Sequence, residues 1–289
     1  MSLRRISGPE FDHAGDADAK PAHSCLRAAG FAVPGRRTAD KWPRPPAPPS
    51  THVHEAATLF VMRYVIDVPA MPSLPVTGRE ERFPIRRVFC IGRNYAEHAR
   101  EMGAAVDSSA PLFFCKPADA VVADGADVPY PSATQELHHE VEMVVALKAG
   151  GCNLDAARAA QCIFGYAVGL DLTRRDLQAA AKARSHPWDT AKAFDHSAPV
   201  SALSPADAAV PQADTHIRLE VNGQLRQTGR IGDMVHGVTD IIVALSKLFE
   251  LKAGDLIFTG TPAGVAALHR GDRFRAELEG VATLEGHVV

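Results

Sequence analysis

The chain has 289 residues, 46% of them hydrophobic and 22% charged, with a formal net charge of −3. That suits one large domain, or a domain with an appendage, of ordinary globular composition. The charge balance argues against a nucleic-acid binder working through a basic face, and no apolar run reaches the roughly 18 residues of a membrane span.

Residues 1–61 are rich in Ala, Pro, Gly, Arg and His and contain the run Pro43-Arg44-Pro45-Pro46-Ala47-Pro48-Pro49. Prolines at that density oppose helix and central strand. The segment reads as a disordered or polyproline-like extension, with one short helical turn expected over 24–30. Its start shows neither an apolar signal core nor an acid-poor transit pattern, so a cytoplasmic protein is expected. The five cysteines, Cys25, Cys90, Cys115, Cys152 and Cys162, form no C-x-x-C pair, which argues against a disulfide framework or structural zinc. Cys90, Cys115 and Cys162 read as small buried apolar residues.

The working domain is expected over 62–289. Residues 87–92 form a short apolar strand ending in Gly92. Asn94 then reads as a helix N-cap with Glu97 as its reciprocal partner. That helix spans 95–102 and stops at Gly103. Residues 112–116 form a second strand, closed by Pro117. Residues 137–147 read as one alternating strand, 154–160 as a helix capped by Asn153, and 162–171 as a strand. Thr173 reads as the cap of a helix over 174–184. Strands over 216–221 and 225–228 flank the hairpin turn Asn222-Gly223. A helix over 239–249 carries Ile241, Ile242, Leu245, Leu248 and Phe249 on a helical period. A strand over 255–259 leads into a turn over 260–264, and 272–278 alternates Phe274, Ala276 and Leu278 with charged residues. The chain has no internal repeat, G-x-G-x-x-G or P-loop, so no nucleotide site is indicated.

The segment His138-His139-Glu140-Val141-Glu142-Met143-Val144-Val145-Ala146-Leu147 is the most informative. On a strand, residues two apart share a face. Val141, Met143, Val145 and Leu147 then form an apolar face, and Glu140 and Glu142 sit on the other with Val144 and Ala146. Two partly desolvated carboxylates about 6–7 Å apart repel unless a cation or proton intervenes. Oxygen ligands favour Mg²⁺, Mn²⁺ or Ca²⁺. Asp171, where an apolar strand ends, offers a third carboxylate. The competing reading pairs Glu140 and Glu142 with arginines on the outer face of an edge strand. His98 and Glu101 lie three apart on one helix face, where a carboxylate can orient an imidazole for taking a proton from water; a solvated surface pair is the alternative.

Four segments, in order, carry a resemblance. They are Cys90-Ile91-Gly92-Arg93-Asn94-Tyr95-Ala96-Glu97-His98, His138 to Glu142, Gly169-Leu170-Asp171-Leu172-Thr173-Arg174-Arg175-Asp176-Leu177-Gln178, and Gly254 to Val265. Together they resemble the fumarylacetoacetate hydrolase family, over residues 62–289. Residues 137–145 and 187–199 are most similar to its bacterial fumarylpyruvate hydrolases. The resemblance implies an α+β, β-rich fold of mixed sheets rolled into a barrel-like core with peripheral helices, and a homodimer. It implies Glu140, Glu142 and Asp171 as ligands of Mg²⁺ or Mn²⁺, with His98 and Glu101 as the water-activating dyad. Lys192, Arg175 and Gln178 match substrate-site positions, and Thr261 a threonine that meets the substrate carboxylate. By spacing alone, Arg175 and Lys192 equally suit ion pairs with Asp176 or Asp195, and the 260–264 turn a plain β-turn. Two departures stand out: His236 replaces a usual aromatic, and Ala266-Ala267 a frequent Gly-Pro.

The reaction implied is hydrolysis of a C–C bond in an acylpyruvate, with fumarylpyruvate of gentisate-type catabolism the leading substrate. Lys192 and Gln178 would donate to the oxyanion, and Arg175 would hold a carboxylate. Oxaloacetate-type decarboxylation or isomerisation of an unsaturated oxo-diacid would use the same site. A non-catalytic binding domain is disfavoured by the complete set of five residues.

Overall fold

The computed structural model describes residues 64–101, 103, 109–123 and 125–289. The extension over 1–61 and its helical turn over 24–30 lie outside them. Two short strands, β1 (Ser73–Leu74) and β2 (Phe83–Pro84), pair antiparallel before the apolar strand β3 (Arg87–Gly92). Helix α1 (Ala96–Glu101) follows, and Gly103 turns at φ 65° beyond it. Next come β4 (Leu112–Lys116) and β5 (Val121–Ala123).

The single strand expected over 137–147 is two, β6 (Leu137–His139) and β7 (Val141–Leu147), broken at Glu140. The chain changes sheets there, which alternation alone does not signal. Helix α2 (Ala156–Gln161), strand β8 (Ile163–Leu170), strand β9 (Thr173–Arg174) and helices α3 (Arg175–Ala183) and α4 (Asp189–Lys192) follow. Strands β10 (Ala198–Val200) and β11 (Ser204–Pro205) precede the expected hairpin of β12 (His216–Val221) and β13 (Gln224–Arg230). Its turn, Asn222-Gly223, has both φ angles positive, as a type I′ turn requires. Helix α5 (Val238–Leu248) and strands β14 (Asp255–Phe258), β15 (Ala266–Leu268), β16 (Arg273–Leu278) and β17 (Ala282–His287) complete the chain.

The main sheet is mixed, in the order β4-β3-β14-β7-β8-β10-β5, with β11 also on β8. The pairs β3–β14 and β5–β10 are parallel. A four-stranded sheet β13-β12-β16-β17 and a three-stranded sheet β15-β6-β9 flank it. The fold is thus β-rich, a curled mixed half-barrel with few helices. Both faces of the main sheet are covered. Phe89, Met143, Val145, Val168 and Ile257 join one apolar cluster; Val88, Cys90, Val144, Ala146, Ala167, Leu256 and Phe258 join the other. Strand β7 is central and wholly buried, which removes the edge-strand reading of its glutamates. Gly169 is needed in β8, since a Cβ there would lie 2.9 Å from both Phe258 Cε1 and Pro199 O.

Four local readings are corrected by tertiary contacts. Asn94 caps no helix: its Nδ2 donates to His236 O at 3.0 Å and Thr259 O at 2.7 Å, and its Oδ1 accepts from His236 N. Helix α2 is capped by Asp155, whose carboxylate accepts from Arg158 N at 2.8 Å, and Asn153 instead turns the chain at φ 49°. Thr173 is a buried strand residue donating to Asp171 O, and α3 starts without a side-chain cap. Leu248 points outward at the end of α5, 64% exposed, while Ser246 takes a buried place and accepts from Leu154 N. Cys90 and Cys162 are buried as expected, but Cys115 is exposed. Among the described residues no helix is long and apolar enough to cross a membrane.

Candidate active site

The carboxylates meet at one end of the β7–β8 pair. Val141 faces Leu170 and Glu142 faces Gly169 in the ladder, and Asp171 N donates to Glu140 O at 2.8 Å just beyond it. Glu142 thus alternates onto the face of Val144 and Ala146, while Glu140 sits at the sheet change. One oxygen from each of Glu140, Glu142 and Asp171 lies within 4.8 Å of the others, all three residues being buried.

Cations meet two of the three acids. Lys192 Nζ lies 2.7 Å from Glu140 Oε2 and 2.6 Å from Asp171 Oδ2. Lys116 Nζ lies 2.8 Å from Asp171 Oδ1. The Arg175 guanidinium pairs with Glu140 Oε1 and donates to Gln178 Oε1 at 2.7 Å. Neither Lys192 nor Arg175 takes the Asp176 or Asp195 partner that spacing alone allowed; Asp176 accepts from Thr134 and Gln135 N instead. Burial pushes the Glu140 carboxyl up, yet the charges of Lys192 and Arg175 prevail and hold it low. Burial opposes the charge on Lys192, but Asp171 and Glu140 hold its ammonium above the ordinary lysine range. Glu142 differs: it accepts from Gly260 N at 2.6 Å, and burial, then the charges of Asp171 and Glu140, push it well up.

That set fits a hard divalent cation. The donors are all oxygen, and no thiolate or imidazole belongs to the cluster. Glu142, crowded by two like charges, is the acid whose ionised form such an ion would most favour. Carboxylate oxygens engaged by Lys192 or Arg175 keep further lone pairs.

His98, Arg175, Gln178, Lys192 and Thr261 line one pocket with the three acids, so eight of the nine residues singled out in the sequence converge there. Glu101 stands behind His98, with its Oε2 3.3 Å from His98 Nδ1. Both Glu101 oxygens accept from Gly264 N at 3.2 Å, which ties α1 to the turn after β14. Helix α1 therefore buries His98 and leaves the Glu101 side chain 37% exposed.

Sequence reasoning missed Lys116 and Gln227. Lys116 ends an apolar strand and its ammonium donates to the carbonyls of Leu172 and Lys192. Gln227, 1% exposed, joins the acidic strand to the 260–264 turn. Its Oε1 accepts from Val141 N at 3.0 Å, and its Nε2 donates to Pro262 O at 2.8 Å. Backbone groups at both ends thereby fix which way the amide points. It follows that His139 Nδ1, 2.8 Å from Oε1, carries a proton, and that Thr261 Oγ1, 2.8 Å from Nε2, accepts from Gln227. The Thr261 hydroxyl proton then has Pro262 O, at a long 3.5 Å, as its acceptor and can turn to a stronger one in the pocket. Neither residue has a sequence signal, since both act through partners far along the chain.

The family model for the fumarylacetoacetate (FAA) hydrolase C-terminal domain matches residues 87–289. The crystal structure of fumarylpyruvate hydrolase from Pseudomonas aeruginosa, in complex with Mn²⁺ and pyruvate, is 44% identical with a TM-score of 0.76, covering 78% of this chain and 99% of that one. Oxaloacetate tautomerase YcgM of Escherichia coli is 42% identical over 68% of this chain and 90% of its own length. The mitochondrial oxaloacetate tautomerase FAHD1 of Homo sapiens is 38% identical over 69% of this chain and 90% of its own. With its fold, its cluster of acids and these likenesses, the chain belongs to the fumarylacetoacetate hydrolase family.

Proposed function

We propose that the protein hydrolyses the C–C bond of an acylpyruvate, converting fumarylpyruvate and water to fumarate and pyruvate in gentisate-type aromatic catabolism. The observation that carries this is the His98–Glu101 pair placed beside the buried acids, a unit able to take a proton from a water that attacks a substrate in the same pocket. The likeness to a fumarylpyruvate hydrolase that binds Mn²⁺ and pyruvate supports it. The reading includes Mg²⁺ or Mn²⁺ as cofactor and a cytoplasmic homodimer as the working form.

A divalent ion held by Glu140, Glu142 and Asp171 would supply a Lewis acid at the 2-oxo end of the substrate. Thr261 donates its hydroxyl proton to a carboxylate or oxo oxygen there. His98 takes a proton from water, and Glu101 at Nδ1 steadies the imidazolium that forms. The hydroxide adds to the C4 carbonyl carbon, and Lys192 and Gln178 donate to the oxyanion. The C3–C4 bond breaks, its electron pair passing into the enolate of pyruvate. A proton returns to C3, giving pyruvate, and the acyl part leaves as fumarate with release of one proton.

A second reading rests on the oxaloacetate tautomerases among the relatives. Tautomerisation, decarboxylation and isomerisation of oxo-diacids all pass through an enolate, which a divalent ion held by the same acids, with Lys192, would stabilise without water attack. The deciding assay follows the ultraviolet decay of fumarylpyruvate with Mg²⁺ or Mn²⁺ and then with EDTA, alongside pyruvate release. Metal-dependent decay with one pyruvate per substrate supports hydrolysis. An intact acylpyruvate, with oxaloacetate tautomerised or decarboxylated under the same conditions, replaces it.

A further inference from the structure

The pocket that holds the acids also has an aromatic wall and a basic rim. Phe114 from β4 and Trp188 before α4 form the wall, and Arg93 and Lys182 stand at the mouth. Lys192 Nζ lies 4.9 Å from the Phe114 ring centroid. The Phe114 and Trp188 centroids are 6.1 Å apart, and Lys182 Nζ lies 5.2 Å from the Trp188 centroid. Two rings thus bridge an inner lysine among the acids and an outer lysine at the rim.

The rim is charged in one sense. Among the described residues neither Arg93 nor Lys182 is ion-paired to a carboxylate, whereas Arg175 deeper in the pocket is met by Glu140. Burial, then the charges of Arg175 and Arg93, lower the Lys182 ammonium below its ordinary range. Arg93 adopts φ 61°, a left-handed conformation uncommon for a residue with a side chain. Like charges held together at a pocket mouth favour an anion between them.

We propose that Lys182 and Arg93 receive a second carboxylate at the far end of the substrate, whose planar unsaturated acyl chain lies along Phe114 and Trp188. The substrate class is then a long 2-oxo diacid rather than an acylpyruvate with a short neutral tail. The proposal rests on the acylpyruvate reading only for the position of the 2-oxo end. A flat conjugated chain suits aromatic faces, and the terminal carboxylate meets one ammonium and one planar guanidinium.

The test uses two inert ligands, 2-oxoheptanedioate and 2-oxoheptanoate, which share a carbon skeleton and differ only in the far carboxylate. Calorimetric titration of the Mn²⁺-loaded full chain is expected to show the diacid bound about tenfold tighter, the worth of one charge-assisted hydrogen bond. Lys182→Met and Arg93→Met should each cut that ratio severalfold, and Trp188→Ala should weaken both ligands. A wild type without the preference, or variants that keep it, overturns the proposal. A wild type with the preference, lost in the variants, that leaves fumarylpyruvate intact upholds the far-carboxylate site and removes the hydrolase reading alone.

Discussion

Replacing Gln227 by Leu removes four buried contacts with little change in volume. Val141 N and His139 Nδ1 lose their acceptor, and Thr261 Oγ1 and Pro262 O lose their donor. Pro262 O keeps only the long 3.5 Å contact from the Thr261 hydroxyl. His139 gains little by moving its proton to Nε2, which is buried without a partner. The Val141 amide, between Glu140 and Glu142, has no recourse. A buried unsatisfied group costs about 1–3 kcal/mol, so one firm orphan plus weakened neighbours amounts to roughly 2–4 kcal/mol. At about 2–4 °C per kcal/mol for a domain of this size, the melting temperature should fall by about 4–16 °C. Without Gln227 Nε2, Pro262 O becomes a better acceptor for the Thr261 hydroxyl and draws its proton from the pocket. Pyruvate affinity of the Mn²⁺-loaded variant should therefore fall about tenfold, one hydrogen bond to a charged group. Differential scanning calorimetry and pyruvate titration measure the two effects. A melting point within about 2 °C of wild type, with unchanged pyruvate binding, would refute the amide orientation argued from Val141 and Pro262.

Three further outcomes follow from the same geometry. Glu142→Gln removes the carboxylate that has no cationic partner, so Mn²⁺ affinity by calorimetry should drop at least about tenfold, by analogy with the loss of one charged contact; wild-type affinity would exclude Glu142 as a ligand. Glu101→Gln should slow fumarylpyruvate hydrolysis by about 10²–10⁴ while Mn²⁺ affinity stays, and undiminished turnover would take Glu101 out of water activation. For Asp176, burial raises the carboxyl, but bonds from Thr134 Oγ1, Gln135 N and Leu177 N outweigh it and leave it lowered. A carboxyl lowered in the native state stabilises above its unfolded value of about 3.9 and loses that contribution as pH falls through the native value. Urea unfolding of Thr134→Val against wild type should thus show a deficit at pH 6 that narrows toward pH 3, and a deficit constant across that range would contradict the assignment.

The periodicities that were legible are those set by burial. Alternation in β16 and around Asn222-Gly223 fixed strands and turn, because each residue's environment there depends on its near neighbours. The acids were legible for the same reason: glutamates two apart within an apolar run have few other uses. What local pattern could not supply is the sheet change at Glu140. The misread caps share one cause. Asn94 is a good N-cap by its neighbours, yet its amide bonds residues 142 and 165 positions away, because the turn after β3 lies against the end of β14. Tertiary partners overrode local preference where the chain builds the pocket.

Lys116, absent from the sequence reading, completes the account of how the site holds its charge. Three acids within 4.8 Å would repel strongly, and two lysines and an arginine from three separate elements stand against them. Lys116 comes from β4, Arg175 begins α3 and Lys192 ends α4, so the cluster balances only once the sheet and both helices are in place. Lys192 bridges Glu140 and Asp171, so it cannot move toward a substrate oxyanion without loosening its hold on both. Glu140 and Asp171, which would hold a divalent ion together with Glu142, are thus the same groups that anchor Lys192.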